Sequence, residues 1–218
     1  MFSSLRLVSW SPQLSGPARA AAEGVLADAA HASGATSTLF APTCAGVWNG
    51  GDLIWRSEYR DESHWRDSEA GSRFREAAAL LADAVRVRLV EHVAYEGAGG
   101  GVSPRKGLYR VALFCANRSP TPARLACFAA ETRAMPRHVR SIRRWQLSTP
   151  AHASGSRTWT HVWEQEYDDL GGLTGPYMLH PCHWGEVDRW FDPESPERIV
   201  ALDFAHVFCV MPRSVLAS

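Results

Sequence analysis

The segment Gly175–Trp184 reads Gly-Pro-Tyr-Met-Leu-His-Pro-Cys-His-Trp and brings Tyr177, His180 and His183 within seven residues. Histidine changes charge close to neutral pH, so His183 is a candidate general base. A tyrosine hydroxyl donates a hydrogen bond without carrying charge, so Tyr177 is a candidate donor to an oxyanion. One base and one such donor are what an aldol closure or a retro-aldol cleavage needs. On a regular helix, side chains six residues apart point in different directions. Pro181 disfavours the helical conformation at His180, and an interruption there would let the two rings converge.

Further candidates surround this pair. Trp159, His161 and Trp163 share one strand parity, so the stripe faces either the barrel interior or the helices. With His180 and Trp184 they are candidate substrate-lining residues. Each also has a structural reading: a packing histidine, a core aromatic or, for His180, a brace of the turn. His180, Cys182 and His183 lack both an HExxH spacing and a supporting carboxylate, so no metal site is expected. Asp168-Asp169 and the Arg140, Arg143, Arg144 group read as solvated faces, although one arginine there could meet a carboxylate. His92 and His206 recur near the ends of the two halves of the chain, which favours a shared structural role.

The elements that must position these residues come in two similar sets. Trp55-Arg-Ser-Glu-Tyr59 matches Trp163-Glu-Gln-Glu-Tyr167 at a spacing of 108 residues. Each half opens with an apolar strand, Leu5–Trp10 or Tyr109–Cys115, followed by an Ala-rich helix led by a proline, Pro17–Ala32 or Pro122–Met135. Two strands come next: Thr36–Ala41 and Asp52–Tyr59 in the first half, Val139–Leu147 and Thr158–Tyr167 in the second. A second helical region (Glu62–Asp83 or Pro176–Trp190) and a last strand (Val85–Tyr95 or Arg198–Phe208) complete each. The order β-α-β-β-α-β is that of a ferredoxin-like unit. The sequence therefore predicts an α+β chain with one repeat at 1–96, a Gly-rich linker at 97–107 and a second repeat at 108–218. Two sheets with helices on one face each can hide their bare faces against one another as a barrel.

Composition bounds the rest. The 218 residues carry 23 basic and 23 acidic side chains, a balance that offers no charge argument for nucleic acid or an anionic membrane. Hydrophobic residues make up 45%, enough for a globular core and unlike a disordered chain. The nine tryptophans suggest an aromatic-rich interior. The five cysteines form no CxxC pair, which fits reduced thiols in a cytoplasmic protein. No signal peptide and no membrane-spanning run is read.

The Tyr-x-x-His-Pro-x-His segment, the Trp159-Thr160-His161 strand start and the closing Ile199–Phe204 stretch carry a resemblance. Together they resemble the stress-responsive α/β-barrel (Dabb) domains of the dimeric α+β barrel superfamily. The resemblance covers the second half and reaches the first only through the repeat. It implies two ferredoxin-like repeats forming an intrachain dimeric α+β barrel. The first half departs from the motif, since Ser68–Phe74 holds no Tyr, His or Pro in the matching place, so any site should lie in the second half. Family members include polyketide cyclases of the olivetolic acid cyclase type and a plant hydroxynitrile lyase. The resemblance thus implies a lyase or cyclase acting on a C–C bond of a small aromatic or polyketide-like molecule. Tyr177 and His183 would be catalytic, with no metal or organic cofactor. It also implies a possible homodimer of single-chain barrels and no nucleic-acid or membrane partner. The alternatives are a non-catalytic stress or ligand-binding protein, and a monooxygenase or haem protein of the wider superfamily.

Overall fold

Two proline-led helices set the frame. Ser15 and Thr121 each accept a backbone N–H from the third residue on, Ala18 and Arg124, while Pro17 and Pro122 sit in the first turn. The computed structural model describes residues 1–116 and 120–216. The first half runs β1 (Phe2–Trp10), α1 (Gly16–Ala32), β2 (Ser37–Pro42), β3 (Leu53–Tyr59), α2 (Glu62–Glu69), α3 (Ser72–Leu81) and β4 (Val87–Glu96). A short strand β5 (Gly99–Gly101) follows. The second half runs β6 (Gly107–Phe114), α4 (Pro122–His138), β7 (Arg144–Ser148), β8 (His152–Ser154), β9 (His161–Tyr167) and β10 (Ala205–Met211). Between β9 and β10 lies a chain of helical turns: an α-helical turn at Leu170–Gly172, π-helical turns at Leu173–Tyr177 and Cys182–Val187, and a 3-10 turn at Asp188–Trp190.

The strands form two antiparallel sheets, ordered β2-β3-β1-β4-β8 and β10-β6-β9-β7-β5. Within each half the order is second, third, first, fourth, the arrangement of a ferredoxin-like unit. The halves exchange edge strands. β8 belongs to the second half but pairs with β4, and β5 pairs with β7. The Gly-rich segment expected to be only a linker is thus partly a strand.

The two sheets close on each other. On one flank Cys44 N–H donates to the Phe208 carbonyl (2.9 Å), and Trp48 and His206 exchange two backbone bonds of 2.8 Å. On the other, Ala151 N–H donates to the Ala94 carbonyl (2.9 Å). The enclosed core is built from both halves, with Leu5, Leu7, Ile54 and Val93 packed with Val111, Leu113, Val162 and Val207. The molecule is an α+β barrel within one chain, with its helices outside the sheets.

Several boundaries differ from the sequence reading. The helical region of the first half is two helices with a break at Ala70–Gly71. β7 begins at Arg144, and Val139 and Ile142 pack as loop residues among apolar neighbours. β10 begins at Ala205, not Arg198. β9 begins at His161, so Trp159 lies outside the strand and does not share its parity. Among the described residues, no helix is long and apolar enough to cross a membrane.

Candidate active site in the second half

Strand alternation assigns the faces. Odd residues of β9 and even residues of β6 and β10 turn away from the barrel interior, toward α4 and the helical turns. Between these layers lies a cavity of about 260 Å³. Phe114, Met135, Val187 and Phe191 form its apolar wall; Arg110, Trp163, Tyr177, His183, Asp188 and His206 supply its polar groups.

The helical turns interrupt at His180, the residue before Pro181, and resume as a π-helical turn at Cys182. The His180 carbonyl accepts the His183 N–H (2.9 Å), and His180 Nδ1 accepts the Cys182 N–H (3.1 Å). This turn brings the His183 and Tyr177 ring centroids to 4.6 Å, tilted by 59°. The Tyr177 ring is held edge-on by Tyr167 (6.0 Å), and the Arg110 guanidinium lies 5.5 Å from its centroid. His183 Nδ1 is 3.9 Å from Asp188 Oδ1, close enough for charge attraction but beyond a hydrogen bond.

Burial sets the charge states. It lowers the His183 pKa from the ordinary histidine value, with Asp188 opposing and Arg110 adding to the shift. Burial raises the Tyr177 pKa, with Arg110 opposing, so the phenol stays protonated and able to donate. His206 is pushed down to about 3 by burial, helped by Arg110 and His183. At neutral pH the cavity holds two neutral imidazoles, a neutral phenol and a guanidinium, together with the Asp188 carboxyl, whose pKa is raised by burial with His183 opposing. Cys182 is pushed up to about 11 by burial, with Glu186 adding to the shift, and is no thiolate nucleophile at neutral pH. Among the described residues, no group of three or more His, Cys, Asp or Glu side chains is placed to hold a metal ion.

Of the sequence candidates, Tyr177, His183 and Trp163 line this cavity. The others lie elsewhere. His161 packs edge-on against Phe128 (5.2 Å) and takes part in a hydrogen bond with Thr160 (2.9 Å). Trp159 donates to Glu91 (2.8 Å) at a second, polar cavity between the halves. His180 braces the turn, and Trp184 is exposed, donating to the Leu179 carbonyl (3.3 Å). Arg144, expected on a solvated face, is buried in β7 and donates to Ser103 (3.0 Å). Sequence reasoning passed over Arg110 and Asp188 and gave His206 only a structural role. Arg110 had a readable signal: it is the one charged residue in the otherwise apolar β6.

The first half shows why the cavity is one-sided. β1 pairs Arg6 with Trp55 and His92; β6 pairs Ala112 with Trp163 and His206. Arg6 and Ala112 therefore occupy equivalent places. The Arg6 guanidinium lies 5.2 Å from the Trp55 ring and 4.8 Å from the Phe74 ring, and it forms an ion pair with Glu69. Glu69 and Phe74 come from the segment that stands where the second half has its motif. Ala112 has no such side chain to spread over Trp163.

The fold is that of a single-chain α+β barrel protein with a cavity in its second repeat. Residues 108–205 match the model of the Stress responsive A/B Barrel Domain (Dabb). No curated protein matches the chain in sequence. Solved structures share the fold across both halves. An anthrone oxidase-like protein aligns at TM-score 0.62 with 12% identity, covering 99% of this chain and 91% of that one. A protein assigned as a monooxygenase from Fusobacterium nucleatum aligns at 0.62 with 9% identity, covering 99% and 95%. A chlorite dismutase variant from Candidatus Nitrospira defluvii aligns at 0.51 with 11% identity, covering 98% and 91%.

Proposed function

We propose that the second-half cavity carries acid–base chemistry on a small aromatic or polyketide-like carbon acid, making or breaking a C–C bond by an aldol or retro-aldol step. The observation that carries this reading is the Tyr177–His183 ring pair at 4.6 Å on the cavity wall. Neutral His183 takes the proton from the carbon next to a carbonyl, and the C–H electron pair passes into an enolate. The Tyr177 hydroxyl donates to the enolate oxygen. The enolate carbon attacks a second carbonyl, and the imidazolium returns its proton to the alkoxide formed. Asp188 supports the transient positive charge. Cleavage runs the same steps backwards.

Proteins assigned as monooxygenases and an anthrone oxidase-like protein share the fold, and oxygenation of a carbon acid can open with the same deprotonation. The test is therefore made on that first step. An aryl methyl ketone such as acetophenone is incubated in deuterated buffer, and loss of its methyl proton signal is followed by NMR. The wild-type chain should accelerate the exchange, and His183→Ala should slow it by about 10²–10⁴-fold. No acceleration over buffer would overturn the reading. Product analysis with and without oxygen separates C–C chemistry from oxygenation.

A further inference from the structure

Most buried polar groups in folded proteins are paired, so unpaired donors standing together beside a cavity point to what they are built to meet. Arg110 is 5% exposed, and its Nη1 donates to Gln165 Oε1 (2.7 Å). Its Nε has no partner; Trp163 Nε1 and Gln165 Nε2, on residues 1% and 0% exposed, face the Tyr177 hydroxyl but have no partner at hydrogen-bond distance. Among the described residues Arg110 forms no ion pair. Of the nearby carboxylates, Asp188 lines the same cavity 3.9 Å from His183, and Glu164 and Glu166 bond groups of the barrel interior.

The three donors stand together by register. Arg110 pairs with Gln165 across β6 and β9, and Trp163 is the next residue on the same face. The first half satisfies the same chemistry internally. There Ser4 stands where Arg110 does, Trp55 Nε1 donates to Ser57 (3.0 Å), and the buried arginine, Arg6, two residues along the same face, has Glu69. Gln165 replaces Ser57 in the repeat, and no carboxylate takes the place of Glu69. The second half thus presents a buried guanidinium N–H without an acceptor, beside an indole N–H and an amide N–H₂ that have only the Tyr177 hydroxyl near them.

We propose that Arg110 and Trp163, which line the cavity, bind the carboxylate of a small aromatic acid, with Gln165 holding the guanidinium from behind and the ring of the acid against Phe114 and Phe191. A planar carboxylate matches the fork of a guanidinium and offers lone pairs enough for the remaining donors. A cavity of about 260 Å³ with an apolar wall suits a molecule of one or two rings. This inference rests on the reading of the cavity as the reaction site and adds its substrate class.

The test compares naphthoate with naphthamide, a neutral molecule of the same shape, by isothermal titration calorimetry on the full chain. Wild type should bind the acid tighter than the amide by about 10–100-fold, the span of a charge-assisted hydrogen bond. Arg110→Gln should lose that preference, and Trp163→Phe should weaken acid binding several-fold. Arg110→Lys keeps the charge but not the fork and should retain only part of the preference; it also serves if Arg110→Gln does not fold. His183→Ala should keep the preference while losing acetophenone exchange, so binding and proton abstraction fail separately. Equal binding of acid and amide by wild type, binding of neither, or an unchanged preference in Arg110→Gln or Arg110→Lys would overturn the proposal.

Discussion

His183 is a base whose strength is set by opposing neighbours. Burial and Arg110 lower its pKa while Asp188 raises it. A base must be unprotonated, so exchange activity should persist as pH falls and be lost only below the ordinary histidine range. Asp188→Asn removes the opposing charge, and the acid limb of the pH–rate profile should then move lower still. Tyr177→Phe should reduce the rate by about 10²–10³-fold, the cost of one oxyanion donor, with the position of the acid limb unmoved. Two other histidines report on stability. His161, only 9% exposed, is pushed down to about 4 by burial and Arg133, and His206 to about 3. Their folded pKa values lie below the unfolded one, so the unfolded chain binds more protons in acid. The stability they supply is complete above about pH 6.5 and is lost as pH falls toward the folded values. For His161 the loss is on the order of 3 kcal/mol, at about 1.4 kcal/mol per pH unit. Denaturant unfolding between pH 7 and 4 should show this slope, and His161→Phe should flatten it.

At the scale of elements, the break at His180 and the side chain at position 112 shape the site. Pro181→Ala removes the constraint on His180 and lets the turn approach regular helix, in which residues six apart diverge. Exchange should fall by about 100-fold through misplacement alone, while the melting temperature changes little. Ala112→Leu puts back part of the bulk that Arg6 supplies in the first half. It should weaken aromatic-acid binding and cost about 1–3 kcal/mol by overpacking. The sequence carried the strand order, both proline-led helices and the Tyr177–His183 pair, because proline position and a repeated motif are local signals. The π-helical turns carry no comparable signal, since their apolar spacing resembles that of an α-helix. The placement of Trp159 was missed because parity holds only while a strand continues, and β9 starts two residues later. Arg110 and Ala112 gain their meaning from residues paired across strands, and register of that kind does not follow from one strand read alone.

At the scale of the whole molecule, the halves are joined through charges inside the barrel. Arg56 of the first half donates to Glu164 of the second at 2.7 Å, both fully buried, and Tyr109 donates to the same oxygen at 2.7 Å. Arg56 also donates to the Val215 carbonyl (2.8 Å), while Glu166 accepts from Val215 N–H (2.7 Å), Leu216 N–H (3.0 Å) and the Ser214 hydroxyl (2.6 Å). The end of the described chain is thus anchored to both repeats. Removing one member of a buried pair strands the other charge, which typically costs about 3–5 kcal/mol. Arg56→Met should therefore lower stability by that amount, with Glu164 left to Tyr109 and Gln146. Glu164→Gln should cost less, because Arg56 keeps Val215 and Ser3 as acceptors. Replacing both, Arg56→Met with Glu164→Leu, removes the desolvated charges together and should recover most of the loss. Denaturant titration of wild type, Arg56→Met, Glu164→Leu and the double variant completes a double-mutant cycle. A coupling below about 0.5 kcal/mol would show that this ion pair does not hold the two repeats together. A large coupling together with one cooperative transition in wild type, splitting into two in Arg56→Met, would make the ion pair the link through which the two repeats fold as a unit.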